Sequence, residues 1–265
     1  MAKLLYADIM AEKCRAELWL NDIPLALVTE PSPYLSVAAH MYVVDGENTL
    51  EIVVNPGSEP ARARERSGKP LPENATVRGR LTALDPGQFT DDPKAPALIQ
   101  ADWASGPPDQ SPKIVAAKSN LGVMFGPWAW QSAPRLTLDA ATLAQVDAVL
   151  ERIRVSLQQG DASVLGRLAR PKFEAAARAF PARSLQETLR QFIAVVERNA
   201  KTPGWAMLPL DPANFSFRLV AGGRLIECIN KDWKATIRSI PAPGHIPMYF
   251  PMFLGMAAGA WAVYL

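Results

Sequence analysis

The chain has 265 residues, which predicts two domains at roughly 100 to 150 residues per domain. Its 28 basic and 26 acidic side chains give a formal net charge of +2. The one dense basic run is Arg62, Arg64, Arg66 and Lys69. This balance disfavours a nucleic acid as the main partner.

The positions of the two cysteines and the composition of the first ten residues narrow the class of protein further. Cys14 and Cys228 fall in different predicted domains, which disfavours a structural disulfide or a cysteine-based metal site. The first ten residues contain Lys3 and Asp8 and no long apolar run, so no signal peptide is predicted. A cytoplasmic location is therefore expected.

Short apolar runs separated by Pro, Gly, Asn and Asp predict an all-β domain over residues 1–135. Strands are expected at residues 4–10, 15–20, 25–29, 37–44, 49–55, 76–84, 97–103 and 114–125. Strict alternation in residues 15–20 predicts a half-buried strand. Residues 56–74 combine Pro, Gly, Arg and Glu, which predicts an exposed loop.

Two turns give this half a recognisable pattern. A strand is followed by an Asn21-Asp22 turn and a second strand, and a Gly46-Glu47-Asn48 corner precedes a later one. This order is similar to galactose-binding-like jelly rolls attached to many glycosidases, and more broadly to immunoglobulin-like sandwiches. The resemblance implies a β-sandwich that binds or packs rather than catalyses.

Past a boundary near residues 132–138 the apolar period becomes helical, which opens a second domain over residues 136–265. Its first helix is capped by Asp139 and ended by Gly160, and the second is kinked or split by Pro171. A capping box of Ser184 and Glu187 opens the third. Strands are then expected at residues 215–220, 224–229, 234–240, 248–254 and 260–264. Three helices followed by an antiparallel sheet define an α+β domain.

The uncharged segment 246–265 allows an alternative, because its Gly255 and Gly259 have the spacing of transmembrane helix interfaces. Pro247 and Pro251 interrupt the segment, and its aromatic residues suit buried strands. A final β-hairpin is favoured, and contact with a membrane is not expected.

The order of helices and strand meander resembles the nuclear-transport-factor-2-like, or SnoaL-like, cone fold. The resemblance rests on Leu-Gln-Gln-Gly-Asp-Ala at 157–162 and on Gly-Ala-Trp-Ala-Val-Tyr at 259–264. The chain departs from the family in lacking the early hairpin that many members show. The resemblance implies a pocket in which enzymatic members hold an acid or base among aromatic side chains.

Polar and aromatic side chains of the last sheet are the candidates for a ligand site in such a pocket. They are Arg224, Glu227, Asp232, His245, Tyr249 and Trp261. Glu227 alternates with Ile226 and Cys228, and a surface position is favoured over a buried proton acceptor. Asp232 is expected in a solvated hairpin turn.

No catalytic, metal or cofactor signature accompanies these candidates. His40 and His245 are the only histidines, which excludes a multi-histidine metal site. His40 is expected as a structural residue within a strand. The chain contains neither a Gly-x-Ser-x-Gly elbow nor a phosphate loop. No catalytic residue, metal or cofactor is therefore predicted.

Three functions stay open at this point. The favoured one is a non-enzymatic module that binds a protein partner or a small molecule, with a homo-oligomer as one expected form. The second is a small-molecule enzyme or carrier that uses the C-terminal pocket. The third is carbohydrate binding through the sandwich, where the candidate stacking groups are Trp19, Trp103, Trp128 and Trp130, although packing is the favoured role for them.

Overall fold

A computed structural model describes residues 3–85, 87–89, 95–106, 110–182, 184–241 and 247–265. The chain divides into two compact units, Met1–Pro127 and Trp128–Leu265. Each unit has its own apolar core.

Within the described residues, the N-terminal unit is a sandwich of two four-stranded antiparallel sheets. One sheet has the order β4-β1-β6-β7 and the other the order β3-β2-β5-β8. The strands are β1 (Leu4–Glu12), β2 (Ala16–Leu20), β3 (Ile23–Val28), β4 (Tyr34–Ala38), β5 (Glu47–Val54), β6 (Thr76–Leu84), β7 (Ala97–Ala104) and β8 (Lys113–Asn120). This confirms the expected β-sandwich.

The two sheets approach closely at Gly79 of β6. A Cβ atom at this position would lie 2.8 Å from Leu18 Cδ1 and 3.2 Å from Ile52 Cδ1, and both leucine and isoleucine belong to the opposite sheet. Interiors are packed to crystal-like density, so such a contact leaves no room for a side chain. Glycine therefore lets the facing aliphatic side chains fill the core.

The Asn21-Asp22 turn and the corner before β5 are joined by a buried polar network. Asn21 and Asp22 both have positive φ, at 52° and 62°, as a two-residue hairpin of this twist requires. The Asn21 side chain donates to Asn48 Oδ1 at 2.7 Å and to the Tyr42 carbonyl at 2.8 Å. Asn48 Oδ1 also accepts from the Val44 amide, and its Nδ2 donates to the carbonyls of Val44 and Gly46.

Two expectations for this unit are wrong. The strand expected to be half-buried, β2, is buried along its whole length. Its Trp19 is only 3% exposed, because Arg64 from the 56–74 loop lies over the indole ring at 4.0 Å. Arg64 is held there by an ion pair with Glu51 at 2.6 Å. His40 lies in a 3-10 helix, His40–Tyr42, and not in a strand, since β4 ends at Ala38.

The C-terminal unit packs helices on one face of an antiparallel sheet of order β14-β13-β10-β9. The helices are α1 (Ala140–Gln158), α2 (Ser163–Leu168), α3 (Arg170–Ala179) and α4 (Leu185–Ala200). The strands are β9 (Phe215–Val220), β10 (Leu225–Asn230), β11 (Ile237–Arg238), β12 (Tyr249–Phe250), β13 (Met252–Ala257) and β14 (Ala260–Val263). This confirms the expected α+β class.

Local signals set the ends of these helices. Asp139 accepts from the Thr142 amide at 2.8 Å at the start of α1, and Gly160 beyond its end has φ of 75°. Pro171 lies in the first turn of α3, so the expected second helix is split into α2 and α3. The capping box of Ser184 and Glu187 is formed at α4.

The end of the chain forms the expected hairpin of β13 and β14. Two strands are shorter than expected: the segment 234–240 contributes only β11, and Pro251 separates β12 from β13. Among the described residues, no helix combines the length and the apolar character needed to cross a membrane.

Candidate functional site

The candidates that the structure describes in the last sheet do not form one pocket. Glu227 pairs in register with Phe253, whereas Trp261 pairs with Met256, and alternation along β13 places these two pairs on opposite faces. Trp261 faces α1, where its Nε1–H donates to Gln145 Oε1 at 3.0 Å. His245 lies outside the described residues.

The remaining candidates occupy the edges of this unit. Arg224 donates to the Ala133 carbonyl. Asp232 lies in an exposed turn and pairs with Lys234 and Arg238, each at 3.5 Å. Tyr249 is opposite Arg238 in the β11 and β12 pair, and its side chain is exposed. Of the five described candidates, Asp232 and Tyr249 are brought to the same area, around Arg238.

Glu227 is buried, so the expected surface position is wrong. It is 7% exposed and forms an ion pair with Arg218, its neighbour in register on β9. The guanidinium of Arg218 lies 5.5 Å from the centre of the Trp233 ring. Because removing two charges from water is costly, the pair depends on its mutual attraction and hydrogen bond. The carboxylate is thus engaged by Arg218.

A cavity of about 650 Å³ opens at one end of the sandwich, between β7, β8 and the segment after β8. We call it the sandwich cavity. Its apolar lining includes Leu5, Leu98, Leu121, Met124 and Phe125, and its polar lining includes Ser119 and Asn120. Lys3 is the one ionisable residue among the described residues that line it.

One carboxylate holds the segment that forms the wall of this cavity. Asp45 Oδ1 accepts from the backbone amides of Met124, Phe125 and Gly126, at 2.7, 3.1 and 3.2 Å. Hydrogen bonds to an ionised acceptor are stronger than neutral ones. The shape of the wall is therefore fixed through the backbone.

His40 lies behind two lining residues of the cavity, Leu5 and Phe125. Its Nε2 accepts from the Leu5 amide at 3.1 Å, and its ring centre is 5.9 Å from that of Phe125. Burial lowers the pKa of His40 to about 4 from its ordinary 6.5, although a hydrogen bond to the Lys3 backbone opposes the shift. His40 is therefore neutral at pH 7 and able to accept from Leu5.

Acid is expected to destabilise the protein through His40. The unfolded chain takes up a proton at a higher pH than the folded one, so stability is lost as the pH falls from 6.5 towards 4. From pH 7 to pH 5 the loss from this group is about 2 kcal/mol. We expect His40→Gln to remove this part of the pH dependence of urea unfolding, with His245→Gln as the control. Equal pH profiles for His40→Gln and the unchanged protein would contradict this role.

The cavity residues were missed in the sequence because residues 114–125 were expected to form one strand. The structure ends β8 at Asn120, and Asn120 Oδ1 accepts from the Gly122 amide in a local turn. The Asn-Leu-Gly sequence was a signal for that turn. Leu121, Met124 and Phe125 are consequently released from the sheet and become the wall.

The four tryptophans considered for sugar stacking are all buried. Trp19, Trp103, Trp128 and Trp130 are 1 to 9% exposed. Trp128 lies under the guanidinium of Arg178 at 4.0 Å. These four side chains do not offer the exposed rings that stacking on a sugar requires. Their burial agrees with packing, the role that the sequence favours for them.

Both cysteines are buried and free, at Cys14 and Cys228. Burial raises the pKa of each thiol, to about 11 for Cys14. In the described ranges no three His, Cys, Asp or Glu side chains are grouped so as to hold a metal ion.

A scan against protein-family models, a search of curated proteins and a search of solved structures each found no match.

Proposed function

We propose that this chain is a non-enzymatic binding protein whose sandwich cavity holds an amphipathic small molecule with an anionic end. The observation that carries the proposal is the cavity itself, about 650 Å³ in volume, with apolar walls and Lys3 as its one ionisable lining residue among those described. This volume is in the range of small-molecule sites.

The apolar lining selects the body of the ligand. Leu98, Leu121 and Phe125 present aliphatic and aromatic surface to the cavity. Each methylene group that leaves water for such a surface contributes about 0.8 kcal/mol. An alkyl chain therefore gains affinity with each carbon that the cavity covers.

Lys3 selects the end group. Its side chain is half-exposed, and its Nζ lies 3.9 Å from a carboxylate oxygen of Asp85, a loose pair at the edge of the cavity. A pair of this length in water contributes little, so a carboxylate on the ligand can compete for Lys3. The ligand class is therefore a medium-length alkyl or aryl carboxylate.

Other elements of the proposal rest on resemblance. A galactose-binding-like or immunoglobulin-like sandwich supports a binding role for the N-terminal unit. A nuclear-transport-factor-2-like cone for the C-terminal unit supports a second ligand site there. The proposed place of action is the cytoplasm.

Decanoate is expected to bind the full chain and to raise its thermal midpoint, since a ligand at 100 times its dissociation constant adds about 2.7 kcal/mol to stability. Lys3→Glu is expected to weaken decanoate roughly tenfold while leaving decanol unchanged. Lys69→Glu makes the same charge change on an exposed loop away from the cavity and is the control. Isothermal titration measures both ligands.

Ala97→Trp is the second variant, because it fills the edge of the cavity from an exposed position on β7. It is expected to abolish binding of both ligands. Absence of decanoate binding, or binding that survives Ala97→Trp, would refute the proposal.

If decanoate does not bind in the sandwich cavity, interaction with a protein partner becomes the better-supported function. Its supporting observation is strand β4, at the edge of its sheet, where Tyr34 and Leu35 are exposed. An edge strand with exposed apolar side chains is a template for pairing with another chain.

A further inference from the structure

The loop 56–74 places an arginine on the outer face of the sheet β3-β2-β5-β8, the face turned away from the sandwich core. Trp19 of β2 and Glu51 of β5 are opposite each other in register, so their side chains are neighbours on this face. The guanidinium carbon of Arg64 lies 4.0 Å from the centre of the Trp19 ring, and Arg64 Nη2 is 2.6 Å from Glu51 Oε1. The same nitrogen is 3.8 Å from Asp22 Oδ1. We call Trp19, Asp22 and Glu51 the guanidinium site.

The side chains of the guanidinium site match a planar cation. The face of an indole ring attracts a positive charge, and a guanidinium also stacks on the ring through its plane. Carboxylates at the edge of that plane pair with the N–H groups. A lysine ammonium fits less well, because it is a compact and strongly hydrated charge with no plane to stack. The site is therefore suited to the side chain of an arginine.

The negative charge of the site exceeds what Arg64 supplies in return. Asp22 and Glu51 present two carboxylates to one guanidinium. Burial raises the pKa of Glu51, the charge of Arg64 opposes this shift, and the charges of Asp22 and Glu17 add to it. Arg15 lies close enough to Glu17 to interact with its charge. Arg64 thus compensates only part of the burial of the Glu51 carboxylate.

Arg64 fills the site from the solvent side. Its side chain is 38% exposed, and residues 64–70 are all exposed. The loop is anchored before this point by Ala63, which is 2% exposed, and after it by the Ser67 amide, which donates to the Ser111 carbonyl at 3.0 Å. The Arg64 side chain can therefore turn out of the site while both anchors stay in place. Ion pairs near the surface contribute little to stability, so an incoming arginine can compete for the site.

The sheet continues from the guanidinium site into exposed surface on β8. Ala116 is opposite Glu51 in register and is exposed, and Ile114, two positions away on the same face, is 44% exposed. The diagonal separation between the positions of Glu51 and Ile114 is about 7 Å. Residues two positions apart in an extended segment are separated by the same distance and point to one side. An extended segment can thus place an arginine in the site and an apolar residue against Ile114.

We propose that the guanidinium site binds an arginine on an extended segment of a partner protein, that this arginine displaces Arg64, and that an apolar residue two positions away contacts Ile114. The site is independent of the sandwich cavity and of its anionic ligand.

The test is calorimetric titration of the full chain with the peptide acetyl-Leu-Ser-Arg-Ser-Leu-amide. A second peptide has citrulline in place of arginine, which keeps the shape of the side chain and removes its charge. Arg64→Ala is expected to bind the arginine peptide at least tenfold more tightly than the unchanged chain, because the group that competes from within the chain is gone. The citrulline peptide is expected to gain nothing.

Three further variants separate the site from the loop. Arg62→Ala removes another exposed arginine of the same loop, loosely paired with Glu65 at 3.9 Å, and is the control with unchanged affinity expected. Glu51→Gln combined with Arg64→Ala is expected to lose the gain in affinity. Arg64→Lys keeps a positive charge in the loop, so it tests the exchange if Arg64→Ala lowers the thermal midpoint, and a smaller gain is expected for it.

Three results would overturn the proposal. They are affinities of Arg64→Ala and Arg64→Lys no higher than that of the unchanged chain, equal affinity for the arginine and citrulline peptides, and a gain that survives Glu51→Gln.

Discussion

Replacing Glu227 with Gln is expected to lower the free energy of unfolding by about 3 to 5 kcal/mol. Glu227 and Arg218 form a buried ion pair between β10 and β9, and both side chains are less than a tenth exposed. The variant removes the negative charge with which the buried guanidinium of Arg218 is paired. Urea unfolding followed by circular dichroism measures the loss.

A double replacement separates the charge from the packing. Arg218→Met combined with Glu227→Leu removes both charges together, and we expect most of the lost stability to return. Glu174→Gln, in an exposed pair, is expected to cost no more than about 1 kcal/mol. A Glu227→Gln variant as stable as Glu174→Gln would show that the buried pair contributes little.

Replacing Asn48 with Ala is expected to cost about 4 kcal/mol. Its side chain is fully buried and makes four hydrogen bonds, with Asn21, with Val44 twice and with Gly46. The truncation leaves buried partners unsatisfied, each at a cost of about 1 to 3 kcal/mol, reduced where water enters the space. Urea unfolding and hydrogen exchange of the β5 amides measure the effect.

Asn48→Asp tests which half of the amide matters, since it keeps the acceptor and replaces the donor facing two carbonyls with a charged oxygen. We expect it to be destabilising as well. Asn120→Ala is the control, because Asn120 is exposed and its side chain accepts only from Gly122 among the described bonds. A loss below 1 kcal/mol for Asn48→Ala would contradict the structural importance of the network.

Local patterns were enough to predict the fold class because they act within a few residues. Asp139, Ser184 and Glu187 satisfy helix ends that follow them directly in sequence. The Asn21-Asp22 turn works in the same way, since asparagine and aspartate tolerate positive φ.

Local patterns did not predict the burial of a side chain when the residue that covers it lies far away in the sequence. Trp19 is covered by Arg64, which is 45 positions further along the chain and belongs to a loop expected to be exposed. Glu227 was expected at the surface because alternation places it on the face opposite the apolar Ile226 and Cys228. The structure buries both faces of β10, so the opposite face is not exposed to water.

The candidate site was not predicted for a related reason. The choice rested on residue type within the last sheet, whereas the sandwich cavity is lined by Leu5, Leu98 and Phe125 of the N-terminal unit. Apolar side chains of this kind fill the core of most domains, so their residue type does not mark a cavity. Folding brings β1, β7 and the segment after β8 to one end of the sandwich and so forms the lining.

The three amides that Asp45 holds belong to the backbone, which every residue except proline supplies identically. The hydrogen bonds that hold residues 124–126 therefore do not involve the side chains of Met124 and Phe125. We expect these bonds to persist when Met124 is exchanged, whereas Phe125 also packs against the core and His40 and needs an apolar replacement. The ligand preference of the sandwich cavity can therefore be altered without removing the Asp45 hydrogen bonds. A small library of apolar residues at positions 124 and 125, with Asp45 kept, is expected to change the lining and preserve the fold.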